Sequence, residues 1–177
     1  MNSKEANAII DDLNEQNHND YYIDFVPITF PNEDFAELAD YLEKHYKPDF
    51  ANKIVFIAFT IMHYYESYVS LVIDGDEDEY ENDEDYEATE TDIYFSKLRY
   101  KDLRHLGLEE LAKLISKMVI DNYRGINILF KNDDKFSLMA IEDEYDTYFR
   151  NLSGNALKLV DQLVNHQGIY LKKAPNN

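Results

Sequence analysis

The sequence predicts an α+β fold in a single domain, with a mostly antiparallel sheet, packed helices, and a long acidic loop between two strands. Apolar residues recur at helical spacing in some stretches and alternate in others, and the two patterns mix without strict βαβ order. Only five glycines and four prolines interrupt 177 residues, so regular elements should dominate. The 45% hydrophobic content suffices for one substantial core. The 14% aromatic content argues against disorder throughout.

Residues 3–17 read as a helix, with Ser3 as N-cap and Ala6, Ile9, Ile10 and Leu13 on one stripe. Residues 21–30 alternate as a strand, ended by Pro31 and Asn32. A helix over 32–46 places Phe35, Leu38, Ala39 and Leu42 inward, and Pro48 closes it. Residues 53–62 and 65–73 read as a strand pair turning near His63–Glu66; the first is apolar on both faces, as a central strand is. Residues 91–99 resume as a strand, which makes the acidic stretch between them the long loop of a hairpin. A helix over 108–122 carries Leu108, Leu111, Ala112, Ile115 and Val119 on its stripe. Gly125 opens a strand over 126–131, Asn132–Lys135 turns, and 136–141 returns. Residues 142–150 read as a short helix. Ser153 caps a last helix with Leu157, Val160, Leu163 and Val164 inward, Gly168 stops it, and 169–173 close the fold as a strand.

Residues 54–73 are about long enough to span a bilayer. His63, Glu66, Ser67 and Ser70 stand near or beyond the middle, and an acidic residue deep in a span costs roughly 2.5–3.5 kcal/mol, so no membrane association is expected. The first residues lack the continuous apolar stretch of a signal peptide. With no cysteine there is no disulfide framework, thiol nucleophile or Cys-based zinc site, and a cytoplasmic location is expected.

Chemical motifs are missing. The glycines (75, 107, 125, 154 and 168) lie too far apart for a dinucleotide turn or a P-loop, which need several in one short loop. There is no G-x-S-x-G elbow and no H-E-x-x-H. No cofactor is expected, and the protein is expected not to be an enzyme. A catalytic site around His63 and Glu66, drawing on His105 or Asp121, is the enzymatic alternative. A scaffold or assembly role is another. Lys97, Arg99, Lys101, Arg104 and His105 form the one basic group, read as a face that answers the acidic stretch.

That stretch is the most informative feature of the chain. Between positions 74 and 92 stand twelve carboxylates and no Lys or Arg: Asp74, Asp76, Glu77, Asp78, Glu79, Glu81, Asp83, Glu84, Asp85, Glu87, Glu90 and Asp92. The net charge is -19; outside these nineteen residues the chain carries 24 acidic against 17 basic groups, an ordinary mild excess. Asp74, Asp76 and Asp78 match the first ligand positions of an EF-hand loop. The sixth position is then Glu79, where glycine is needed, and the twelfth is Asp85 rather than Glu, so no specific metal site is expected.

Fully extended, nineteen residues span about 63 Å, or roughly 5 Å per charge. As a helix the spacing falls to roughly 2.4 Å. Duplex DNA carries one charge per about 1.7 Å of axis and each strand one per about 3.4 Å, so the tract brackets nucleic-acid charge density. Tyr80 and Tyr86 add amphipathic anchors of a kind enriched at interfaces. Direct nucleic-acid binding is disfavoured by the sign of the charge. The expected partner is a basic, nucleic-acid-acting protein (a nuclease, a restriction or CRISPR effector, or a toxin), met by residues 74–87. In general manner this resembles DNA-mimic inhibitors and the immunity proteins of nuclease toxins. A solvated loop without a partner is the alternative reading of the same charges.

Overall fold

Asn2 and Glu5 open the first helix. The Asn2 side chain accepts the Glu5 N–H at 2.9 Å, and the Glu5 carboxylate accepts the Asn2 N–H at 3.2 Å, a reciprocal cap that satisfies two donors. The N-cap is therefore Asn2, one residue before the expected Ser3. The computed structural model describes residues 1–15, 20–27, 36–72, 94–121, 124–142 and 146–174. In chain order the elements are α1 (Ser3–Glu15), β1 (Tyr21–Asp24), α2 (Ala36–Tyr64), β2 (Ser67–Leu71), a 3-10 turn (Leu103–His105), α3 (Leu108–Asp121), β3 (Ile126–Asn132), β4 (Lys135–Ile141), β5 (Thr147–Arg150), α4 (Gly154–His166) and β6 (Tyr170–Lys173).

The six strands form one sheet in the order β2-β3-β4-β5-β1-β6, and all five neighbouring pairs are antiparallel. The expected α+β class with an antiparallel sheet is what forms. Alternation divides the strand residues between two layers. Val69, Leu71, Ile126, Ile128, Phe130, Met139, Ile141 and Phe149 face α2, α3 and α4 in the main core. Tyr68, Leu129, Leu138 and Ala140 face Ala6, Ile10 and Leu13 of α1 in a second, smaller one.

Several elements differ from expectation. Residues 53–62 are not a strand but the middle of α2, whose 29 residues run through Pro48. Ile54, Ile57, Ala58 and Ile61, spaced as one helical face, are all fully buried. Proline removes one backbone bond from such a helix, and the buried isoleucines, each worth about 1.5–3 kcal/mol, outweigh it. Residues 94–96 form a helical turn rather than part of a strand, and Phe95 and Leu98 are buried from that turn. Among the described residues the acidic stretch therefore follows β2 and precedes a helical turn, and 94–99 supply no strand to pair with β2. Residues 147–150 are β5, not the end of a helix, with Thr147 and Phe149 buried and Tyr148 and Arg150 on the other face.

On α3 the inward residues include Leu114 and Met118, whereas Leu108 is exposed. β1 stops at Asp24, whose side chain accepts the Val26 N–H at 3.0 Å and turns the chain. Ser153 stands at the N-cap of α4 without a side-chain capping bond, and Gly168, at φ +70, ends that unit as expected. Among the described residues no helix is long and apolar enough to cross a membrane.

Candidate functional site

The sequence places the site at Asp74, Asp76, Glu77, Asp78, Glu79, Tyr80, Glu81, Asp83, Glu84, Asp85, Tyr86 and Glu87, all within 73–93 and outside the described residues. What the fold establishes is how the chain leaves for that stretch and how it returns. Val72, the last described residue before it, donates its N–H to the Gly125 carbonyl at 2.9 Å, adding one rung to the β2–β3 ladder. Phe95, the second residue after it, is fully buried, and the guanidinium of Arg124 stands 5.4 Å from the centre of its ring. Departure and return thus meet the same dipeptide, Arg124–Gly125, at the start of β3.

Both residues of this seat have a specific conformation or fit. Arg124 adopts φ 63, the left-handed region that turns the chain out of α3 and into β3. A Cβ on Gly125 would lie 2.8 Å from the Ile141 carbonyl oxygen and 2.9 Å from the Val72 Cγ2, so only glycine lets β2 and β4 close on β3 here. Tyr94 secures the returning end by donating its hydroxyl to the Glu110 carboxylate at 3.1 Å. Burial, that bond and the nearby Glu110 charge all raise the Tyr94 phenol above its ordinary value.

The fold also decides which other acidic groups adjoin this seat. The β4–β5 connection is closed by the Glu142 N–H on the Asp146 carbonyl, 2.8 Å. Because β4 ends where β3 begins, Glu142 and Asp146 lie at the sheet end where the tract attaches. Asp133 and Asp134 form the β3–β4 turn at the opposite end, about 24 Å away along seven strand residues. The two acidic groups do not share a face with one another.

The candidates for catalysis are each engaged locally. His63 lies in the last turn of α2, not in a strand turn, and its Nδ1 is 2.8 Å from the Phe59 carbonyl of its own helix. Glu66 follows that helix, is exposed, and offers its backbone carbonyl to Lys131 N at 2.9 Å. His105 Nδ1 contacts the Asp102 carbonyl, and Asp121 takes Lys117 at 2.6 Å. Among the described residues no group of three or more His, Asp or Glu is gathered as a metal site would need.

In the basic group, Arg104 is clasped by Asp102 through its Nε (3.0 and 2.9 Å) and NH2 (2.5 Å). At least this member answers a neighbouring carboxylate rather than the tract. The sequence marks Gly125 only as the start of a strand and does not single out Arg124 as part of a seat. The signal for a seat is a glycine set at the start of a largely buried strand, where it often marks close backbone approach.

No protein-family model, curated protein or solved structure matches this chain.

Proposed function

We propose that this protein acts by binding, as an inhibitor of DNA-mimic or immunity type that covers the basic surface of a nucleic-acid-acting protein. The observation that carries the reading is the run of twelve carboxylates in nineteen residues with no Lys or Arg. Its charge spacing falls in the range of nucleic acid, and such a field steers a basic surface toward it. The fold supports the reading in two ways. The residues that flank the tract, Val72 and Phe95, meet one seat, Arg124–Gly125, so the chain leaves for it and returns from it at one end of the sheet. Glu142 and Asp146 stand at that end, whereas Asp133 and Asp134 do not.

In this mechanism the carboxylates raise the encounter rate, and Tyr80 and Tyr86 supply apolar anchoring that slows release. The test is capture of partners from the native host's lysate at low and high salt. The intact protein is compared with a variant in which every Asp and Glu of 74–92 becomes Asn or Gln. A basic nucleic-acid-acting protein retained only by the intact form, and shed at high salt, is the expected result. The same partners on both forms would refute the proposal.

A further inference from the structure

A six-stranded open sheet has two edges, and in this protein they are finished differently. On β2 the residues that face away from β3 are Ser67, Val69 and Leu71, because Glu66 and Val72 bond to β3. The Val69 N–H is taken by the Asp102 carboxylate at 3.4 Å, and the 3-10 turn packs alongside, so that edge is closed. On β6 the Ala174 N–H bonds the Asp20 carbonyl at 2.9 Å, which makes Lys172 and Tyr170 the residues bonded to β1. The N–H and C=O groups of Leu171 and Lys173 therefore point outward, and among the described residues nothing takes them.

Charge narrows what can pair there. Lys173 is exposed on the helix-layer face, and Lys172 lies on the other face, where its amine meets Asp24 at 2.6 Å. A strand carrying carboxylates meets the exposed Lys173 ammonium on the helix-layer face, while on the other face Lys172 is already held by Asp24. The chain leaves for the acidic tract from β2, at the other edge of the sheet, five strand spacings or about 24 Å from β6.

We infer that β6 is a docking edge for an extended, acidic polypeptide strand of a partner protein, added antiparallel at Leu171 and Lys173. This is independent of the basic partner proposed for the tract. The probe is a short synthetic peptide of alternating threonine and glutamate, with its threonine–lysine counterpart as control. The glutamate peptide should shift the Leu171 and Lys173 amide resonances and slow their exchange, and the lysine peptide should not.

Lys173→Pro removes only an outward N–H, so it should leave the melting temperature unchanged and weaken the glutamate peptide about fivefold or more. Lys173→Glu should shift the preference toward the lysine peptide. Unmoved amides, equal response to both peptides, or unaltered binding by Lys173→Pro would each overturn the inference. So would protection of these amides that appears with protein concentration alone, because that would assign the edge to a second copy.

Discussion

The Asp102 carboxylate accepts the backbone N–H of Val69, 3.4 Å away and 33 residues earlier, while gripping Arg104 from the same side chain. One carboxylate thereby closes the β2 edge and fixes the turn that follows the tract's return. Burial alone would raise the Asp102 carboxyl, but the hydrogen bonds from Arg104 and Val69 and the Arg104 charge hold it below its ordinary value. A lowered folded pKa gives stability that is complete above the ordinary value of 3.8 and is lost as the pH falls through the folded value. Asp102→Asn keeps an acceptor without the charge. Urea denaturation should find wild type more stable than this variant near neutrality, by about 1 kcal/mol. The gap should close as the pH drops below 3.8. A gap that stays constant to pH 2 would refute the assignment.

Gly125→Ala tests the seat of the tract. Alanine stiffens the unfolded chain, which alone would stabilise by about 0.4–1 kcal/mol. Against this, the new methyl meets a backbone oxygen at 2.8 Å and the Val72 side chain at 2.9 Å, and the oxygen cannot move without its strand. Overpacking of this kind costs about 1–3 kcal/mol, so a net loss of about 1–2 kcal/mol is expected in denaturant titration. Gly107→Ala, where a Cβ meets nothing within 4 Å, should lose far less.

These residues also show what the sequence could and could not convey. The β3–β4 hairpin was legible because two apolar runs flank a polar turn, and Asp133 indeed takes φ 55 there. α1 and the last turn of α4 were legible from helical spacing and from Gly168. The middle of α2 was not. Its buried stripe of Ile54, Ile57, Ala58 and Ile61 is helical, but Val55, Phe59 and Met62 pack against the same core and hide the period. β5 was missed because the carboxylate run before it resembles a helix start, although Thr147 to Arg150 alternates. The candidate site is read from charge alone and lies outside the described residues. That the residues flanking it meet Arg124–Gly125 was not legible, because no local pattern reports which distant residues a chain returns to.

Tyr94 anchors the return through Glu110, and its contribution should be visible at high pH. Burial, the hydrogen bond and the Glu110 charge raise its phenol above 10.0. A raised folded pKa gives stability that is present below the ordinary value and lost as the pH rises through the folded one. Tyr94→Phe should lower stability modestly at neutral pH, by no more than about 1 kcal/mol, because the pair is exposed. The difference from wild type should disappear above pH 10, as read by thermal melts across the alkaline range. A difference that grows with pH would mean that the phenolate, not the phenol, is the bound form.

Because Val72 and Phe95 both meet the Arg124–Gly125 dipeptide, the tract should be removable without unfolding the rest. Replacing 74–92 by about five Gly and Ser residues shortens the connection roughly fourfold. Loop-closure entropy then falls by about 1 kcal/mol, since the cost follows (3/2)RT ln n. Twelve like charges are removed as well, and their mutual repulsion within a Debye length disfavours any compact state. Both effects act in one direction, so the shortened protein should unfold at a higher urea concentration than wild type. In wild type the midpoint should rise with added salt, and in the shortened form it should depend on salt much less. A shortened protein that fails to fold, although Phe95 and Val72 are retained, would mean that the tract is part of the core and not an appendage seated on it.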